Sequence, residues 1–121
     1  MKRDMHIIRK ILLAAMESEE PLASVAGIEP EKFDFHVQLL QEGGFLQCLA
    51  QESNEGSCSK LTPAVVIRLT WAGFDFAESI KDDSIWHKVT AQPPRSAGAW
   101  TFDLLQYALR YEQRRRLWFA A

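Results

Sequence analysis

The stretch Val65–Trp86, VVIRLTWAGFDFAESIKDDSIW, decides how this chain is read. It starts as a strand. Val65, Val66, Ile67 and Leu69 are apolar, and the β-branched residues suit a pleated surface. It ends as a helix, and the switch falls at Thr70. A Thr directly before an apolar pattern of period 3.6 is an N-cap signal, because its hydroxyl satisfies a free amide of the first turn. Gly73 on that turn marks a close approach to a neighbouring element rather than a ligand contact. Phe74, Ala77 and Ile80 mark the predicted inner face. Asp82-Asp83-Ser84 kinks the helix or starts a new one, with Asp83 or Ser84 as its cap. Ile85, Trp86 and Val89 then continue the apolar face, and Trp86 is expected in the core.

Toward the N-terminus, Asp4–Glu17 predicts a first helix. Ile7, Ile8, Ile11, Leu12 and Ala15 form one stripe, Asp4 is the cap, and Pro21 forbids continuation. Leu22–Ile28 has room for one turn or a short strand. Pro30–Gly43 predicts the next helix, with Phe33, Val37 and Leu40 buried and His36 at the edge of the stripe. Gly43-Gly44 ends it, and Phe45-Leu46 opens a strand. Gln47–Leu61 is expected to form a hairpin wing with its tip at Asn54-Glu55-Gly56-Ser57. The returning strand runs Pro63–Leu69.

Toward the C-terminus, Gln92–Gly98, QPPRSAG, has the composition of a linker, and Thr101 caps a last helix to about Phe119. The expected architecture is α+β and mostly α. It is a winged helix-turn-helix with a two-stranded wing and an added C-terminal helix. Residues 1–91 form the winged-helix domain and 92–99 the linker. Residues 100–121 are a helix packed on the same domain or on a partner chain.

Three segments, IRKILLAAMESEEPL, HVQLLQEGGFL and above all VVIRLTWAGFDFAESIKDDSIW, resemble the bacterial and phage family known as domain of unknown function 2513. The resemblance covers roughly Met1 to Val89 and, more loosely, the TFDLL helix. It implies a winged-helix-like fold in a bacterial or prophage setting. The family has no established activity, so no catalytic residues carry over from it.

With 121 residues, 47% of them hydrophobic and 25% charged, the chain can bury a core without staples. A net charge of −2 is unlike the strongly basic balance of a nucleic-acid coat protein. The start MKRDMHIIRK reads as an amphipathic helix, not a signal peptide or membrane span. Cys48 and Cys58 do not make a secreted disulfide framework, so the protein is expected to be cytoplasmic with reduced thiols. Flanking the wing tip, the two thiols could also act as a redox pair, but unrelated thiols are the simpler expectation. His6, His36 and His87 lie on separate elements, and no Cys or His pair has zinc-site spacing. Asp82-Asp83 is read as a cap, ahead of a metal pair. With no phosphate-binding glycine loop and no nucleophile elbow, no cofactor, metal or small-molecule ligand is expected, and the protein is not read as an enzyme.

A winged helix reads DNA by placing its recognition helix in the major groove. The candidate contacts are Lys32, Phe35, Gln38 and Gln41 on that helix, Lys60 on the wing and Arg68 on the strand. Glu31 and Asp34 share the helix surface. Against DNA stands the charge from Ile28 to Leu46: Glu29, Glu31, Asp34 and Glu42 face Lys32 alone. Any DNA binding should therefore be weak and steeply salt-dependent. Arg110 with Arg114-Arg115-Arg116 is the basic cluster, and its simpler role is a solvated helix end. On fold analogy alone, a DNA-binding regulator of bacterial or prophage genes stands marginally ahead of a protein-interaction or assembly module that binds no DNA.

The last helix also predicts a homodimer. Trp100, Leu104, Tyr107, Ala108, Tyr111 and Trp118 lie on one side, and Phe102, Leu105, Leu109 and Phe119 on the adjacent one. Together they exceed the ~100° arc that packing on one core requires. Phe102, Leu105, Leu109 and Phe119 are the expected dimer face, with a monomer that covers both sides itself as the competing solution.

Overall fold

The computed structural model describes residues 1–49, 64–91, 94 and 100–119. The chain divides into two compact units, Met1–Ala77 and Glu78–Ala121. Among the described residues it is α+β and mostly helical, with five helices and one two-stranded antiparallel sheet. The order of elements is consistent with a winged-helix-like layout.

In the first unit, α1 spans Met5–Glu17 and turns Met5, Ile8, Ile11 and Leu12 into the core. Asp4 caps it, its carboxylate accepting the His6 N–H at 2.8 Å. The segment after α1 forms no helix. Leu22 instead exchanges two 2.8 Å backbone hydrogen bonds with Val66, a single-residue strand. Gly27, with φ 84°, then turns the chain into α2, Pro30–Glu42.

Phe33, His36, Val37 and Leu40 are the buried side of α2. His36 is thus a core residue, not an edge residue. The Asp4 N–H donates to its Nε2 at 2.9 Å, and its Nδ1 lies 2.7 Å from the Lys32 carbonyl. A carbonyl only accepts, so Nδ1 carries the proton. Both ring nitrogens are satisfied, which lets the imidazole be buried. Gly44 ends α2 with φ 82°, while the Phe45 N–H bonds the Leu40 carbonyl at 2.9 Å and the Gly44 N–H the Gln41 carbonyl at 3.0 Å. This is the paired C-terminal motif that needs glycine in the left-handed region.

Strand β1, Leu46–Leu49, pairs antiparallel with β2, Val65–Leu69. Leu46 faces Leu69 and Gln47 faces Arg68, but Cys48 faces Val66, so Ile67 is an extra residue. That bulge explains why Ile67 and Arg68 are both exposed between buried Val66 and Leu69. The expected wing tip, with Cys58 and Lys60, lies outside the described residues.

Helix α3, Trp71–Ser79, begins at Thr70 as the sequence predicts. The Thr70 hydroxyl accepts the Gly73 N–H at 3.1 Å and donates to the Gly44 carbonyl at 2.5 Å. The Thr70 N–H donates to the Phe45 carbonyl at 3.0 Å. One residue therefore caps α3 and fastens it to the turn after α2. The buried side of α3 is Gly73, Phe76 and Ala77. Phe74, expected inside, is exposed.

The second unit pairs α4, Asp83–Thr90, with α5, Phe102–Phe119. The cap of α4 is Asp82 and not Asp83 or Ser84: its carboxylate accepts the Ile85 N–H at 3.0 Å. Ile80, Ile85, Trp86, Leu105 and Leu109 are its buried apolar side chains. Trp86 is 1% exposed, in the core as expected. Thr101 caps α5 through the Leu104 N–H at 3.3 Å. Helix α4, placed with residues 1–91 on sequence, thus packs with α5. Apart from Pro94, the expected linker 92–99 lies outside the described residues. No described helix is long and apolar enough to cross a membrane.

Candidate functional site

Three of the six side chains expected to meet DNA, Phe35, Gln41 and Arg68, make contacts within the fold. Gln41 is exposed, but its Oε1 accepts the Cys48 N–H at 2.8 Å, tying α2 to β1. Asp34 on the same helix accepts the Ala64 N–H at 3.0 Å. Arg68 lies along the sheet, donating from Nε to the Gln47 Oε1 at 3.1 Å and from Nη1 to the Leu69 carbonyl at 3.3 Å. Phe35 is half-buried and packs edge-on against His36, their ring centroids 5.1 Å apart. Gln38 is half-buried and Lys32 exposed. Lys60 lies outside the described residues. Exposed charge on and just before α2 is Glu29, Glu31 and Glu42 against Lys32. Cys48 is half-buried and burial pushes its thiol pKa up, which works against a reactive thiolate. Its proposed partner Cys58 is not among the described residues.

The expected dimer face is corrected by burial. Leu105 and Leu109 are fully buried within the single chain, so they are core side chains and not an open surface. Phe102 is half-buried, and Phe119 ends α5 with a side chain outside the described set. Tyr107 and Tyr111, on the adjacent side, are 75% and 63% exposed. Leu105 and Leu109 thus lie inward, Tyr107 and Tyr111 outward, and Leu104 and Ala108 are half-buried between them. Leucine carries no polar group to satisfy, whereas a tyrosine hydroxyl needs a partner or water.

The basic cluster also divides. Glu112 is buried, and three cations converge on it: Arg115 at 2.7 Å, Lys88 at 3.0 Å and Arg116 at 3.1 Å. Arg116 also donates to the Ser84 hydroxyl at 3.0 Å. Hydrogen bonds from Arg115 and Lys88, then Arg116, pull the Glu112 pKa down to about 2, against the opposing effect of burial. Arg115 and Arg116 are therefore a structural clamp. Arg110 and Arg114 point away from it. With Tyr107 and Tyr111 they line a shallow recess of about 240 Å³ on the exposed side of α5.

The sequence expectations missed a second exposed face, on α3. Trp71 is 85% exposed and Phe74 46%, with Asp75 and Glu78 exposed beside them. The signal was present at Gly73. If Gly73 touches a neighbour, residues three, four and seven positions on share its side, namely Phe76, Ala77 and Ile80. Phe74 then turns away.

These elements make an α+β, mostly helical protein whose order of elements is consistent with a winged-helix-like layout. The chain belongs to the family described as "Hypothetical protein (DUF2513)", which matches residues 2–98. It is also 30% identical over 95 residues to an uncharacterized protein of Haemophilus influenzae, across 74% of this chain and 75% of that protein. No solved structure matches it. The family match includes α1 to α4 and both strands; α5 lies beyond it.

Proposed function

We propose that this chain is a bacterial, cytoplasmic protein-interaction or assembly module with a winged-helix-like frame, and not a reader of duplex DNA. The observation that carries this reading is the outward face of α3, where Trp71 and Phe74 stand in solvent beside two carboxylates. Exposed aromatics grouped on one helix face are characteristic of contact surfaces. The α2 surface supports the same reading. Its exposed charge is mostly negative, and Gln41 is bound to β1. Phosphate contacts supply most of the affinity of DNA binding, so an acidic face opposes it.

The runner-up is a DNA-binding regulator of bacterial or prophage genes, favoured by the order α2, β1, β2. Fluorescence anisotropy with random and genomic duplexes separates the two. The interaction module predicts weak binding that disappears at physiological salt. Nanomolar binding that persists at that salt would establish the regulator and overturn the module.

A further inference from the structure

Helices α3 and α5 carry exposed faces with the same spacing and opposite charge. On α3 one exposed stripe is Trp71, Phe74, Asp75 and Glu78. On α5 the matching stripe is Tyr107, Arg110, Tyr111 and Arg114, with exposed Asp103 one turn before it and exposed Leu117 one turn after it. Each set occupies positions i, i+3, i+4 and i+7, which lie on one side of a helix over two turns. Each therefore presents two aromatic rings and two like charges. Asp75, Glu78, Arg110 and Arg114 make no ion pair among the described residues. Arg115 and Arg116 are not part of the stripe, because Glu112 holds them.

We propose that the α3 face of one chain docks on the α5 face of a second copy, and reciprocally, in a two-fold dimer. This rests on the protein-interaction reading and names the partner. Two like charges a turn apart repel on their own helix. Opposing carboxylates relieve Arg110 and Arg114, and opposing guanidinium groups relieve Asp75 and Glu78. Arg also packs on aromatic faces, so each charged group gains a ring as well as a counter-charge. A chain that bears both faces satisfies both in a closed pair, with each contact made twice. The recess between Tyr107 and Arg114 would seat a projecting ring such as Trp71.

The test is charge reversal on the full chain, read by light scattering at micromolar concentration. One variant carries Asp75→Lys with Glu78→Lys, the other Arg110→Glu with Arg114→Glu. All four sites are exposed, so folding should survive, and circular dichroism checks that it does. The wild type should be a dimer. Each variant alone should be a monomer, its self-association weakened by about 100-fold or more, because like charges now face each other at both contacts. An equimolar mixture of the two should recover the dimer, since opposite charges then meet at both. A dimer that survives both reversals, or a mixture that stays monomeric, would overturn the proposal. So would a monomeric wild type, which leaves the protein-interaction reading to the duplex experiment. A monomer that binds oligothymidylate through Arg110 and Arg114 would assign the α5 face to single-stranded nucleic acid and also overturn the dimer.

Discussion

Gly73 lies against Phe45 so closely that a side chain at position 73 would run into the Phe45 carbonyl oxygen. The same Cβ would meet Leu69 at 3.3 Å. The Phe45 carbonyl cannot move aside cheaply, because it accepts the Thr70 N–H at 3.0 Å. The first turn of α3, the end of β2 and the turn after α2 therefore meet at one glycine.

Gly73→Ala should destabilise the protein by about 1–3 kcal/mol, the range for overpacking a tight site. At an unconstrained helical position the same change would stabilise by up to about 1 kcal/mol. The sign alone is diagnostic. Urea denaturation that gave a more stable Ala variant would mean that α3 does not approach the turn in this way.

Phe74 and Phe76 are two residues apart and should behave oppositely. Phe76 is 4% exposed and packs on Phe45, their ring centroids 5.1 Å apart. Phe76→Ala should cost about 3–5 kcal/mol. In the monomeric Asp75→Lys, Glu78→Lys background, where docking does not contribute, Phe74→Ala should stay within about 0.5 kcal/mol, as at ordinary surface sites. Equal losses at the two positions would show that the α3 face is rotated from the one described.

Local chemistry made most of these elements legible in the sequence. Thr70, Asp4 and Thr101 are caps because a hydroxyl or carboxylate satisfies a free helix amide, and the residue type announces that role. Gly44 announces the end of α2 in the same way. Which apolar side is buried was less legible. On α5 leucines and tyrosines together cover too wide an arc for periodicity to choose between sides. Asp82 and Asp83 are both good caps, and one residue of register separates them. His36 looked like an edge residue because it is polar, yet the Asp4 N–H and the Lys32 carbonyl satisfy its ring from outside the apolar pattern. The Glu112 clamp depended on Lys88, which lies on another helix 24 residues away.

Trp86 offers a check on the second unit. It is 1% exposed on α4, beside the Asp82 cap. Trp86→Ala should cost about 3–5 kcal/mol. A loss below about 1 kcal/mol in thermal or urea denaturation would place the ring at the surface.

Glu112 links the ends of α4 and α5, and its charge makes that link depend on pH. In the folded chain its pKa is pulled down to about 2, from an ordinary value of 4.5. A carboxylate whose pKa falls on folding stabilises the folded state wherever it is ionised in both states. Its contribution is therefore complete above about pH 4.5 and is lost as the pH falls toward about 2. Glu112→Gln keeps the shape and removes the charge, leaving Lys88, Arg115 and Arg116 with no carboxylate between them. The variant should melt below the wild type at neutral pH. The gap should narrow through the range from about 4.5 to about 2, as the wild type itself becomes protonated. Added salt should narrow it further at neutral pH, because the three cations are partly exposed and screened. Melting curves of both proteins across that range provide the measurement. A gap that stays constant down to the acid end would mean that the Glu112 charge does not hold the two helices together.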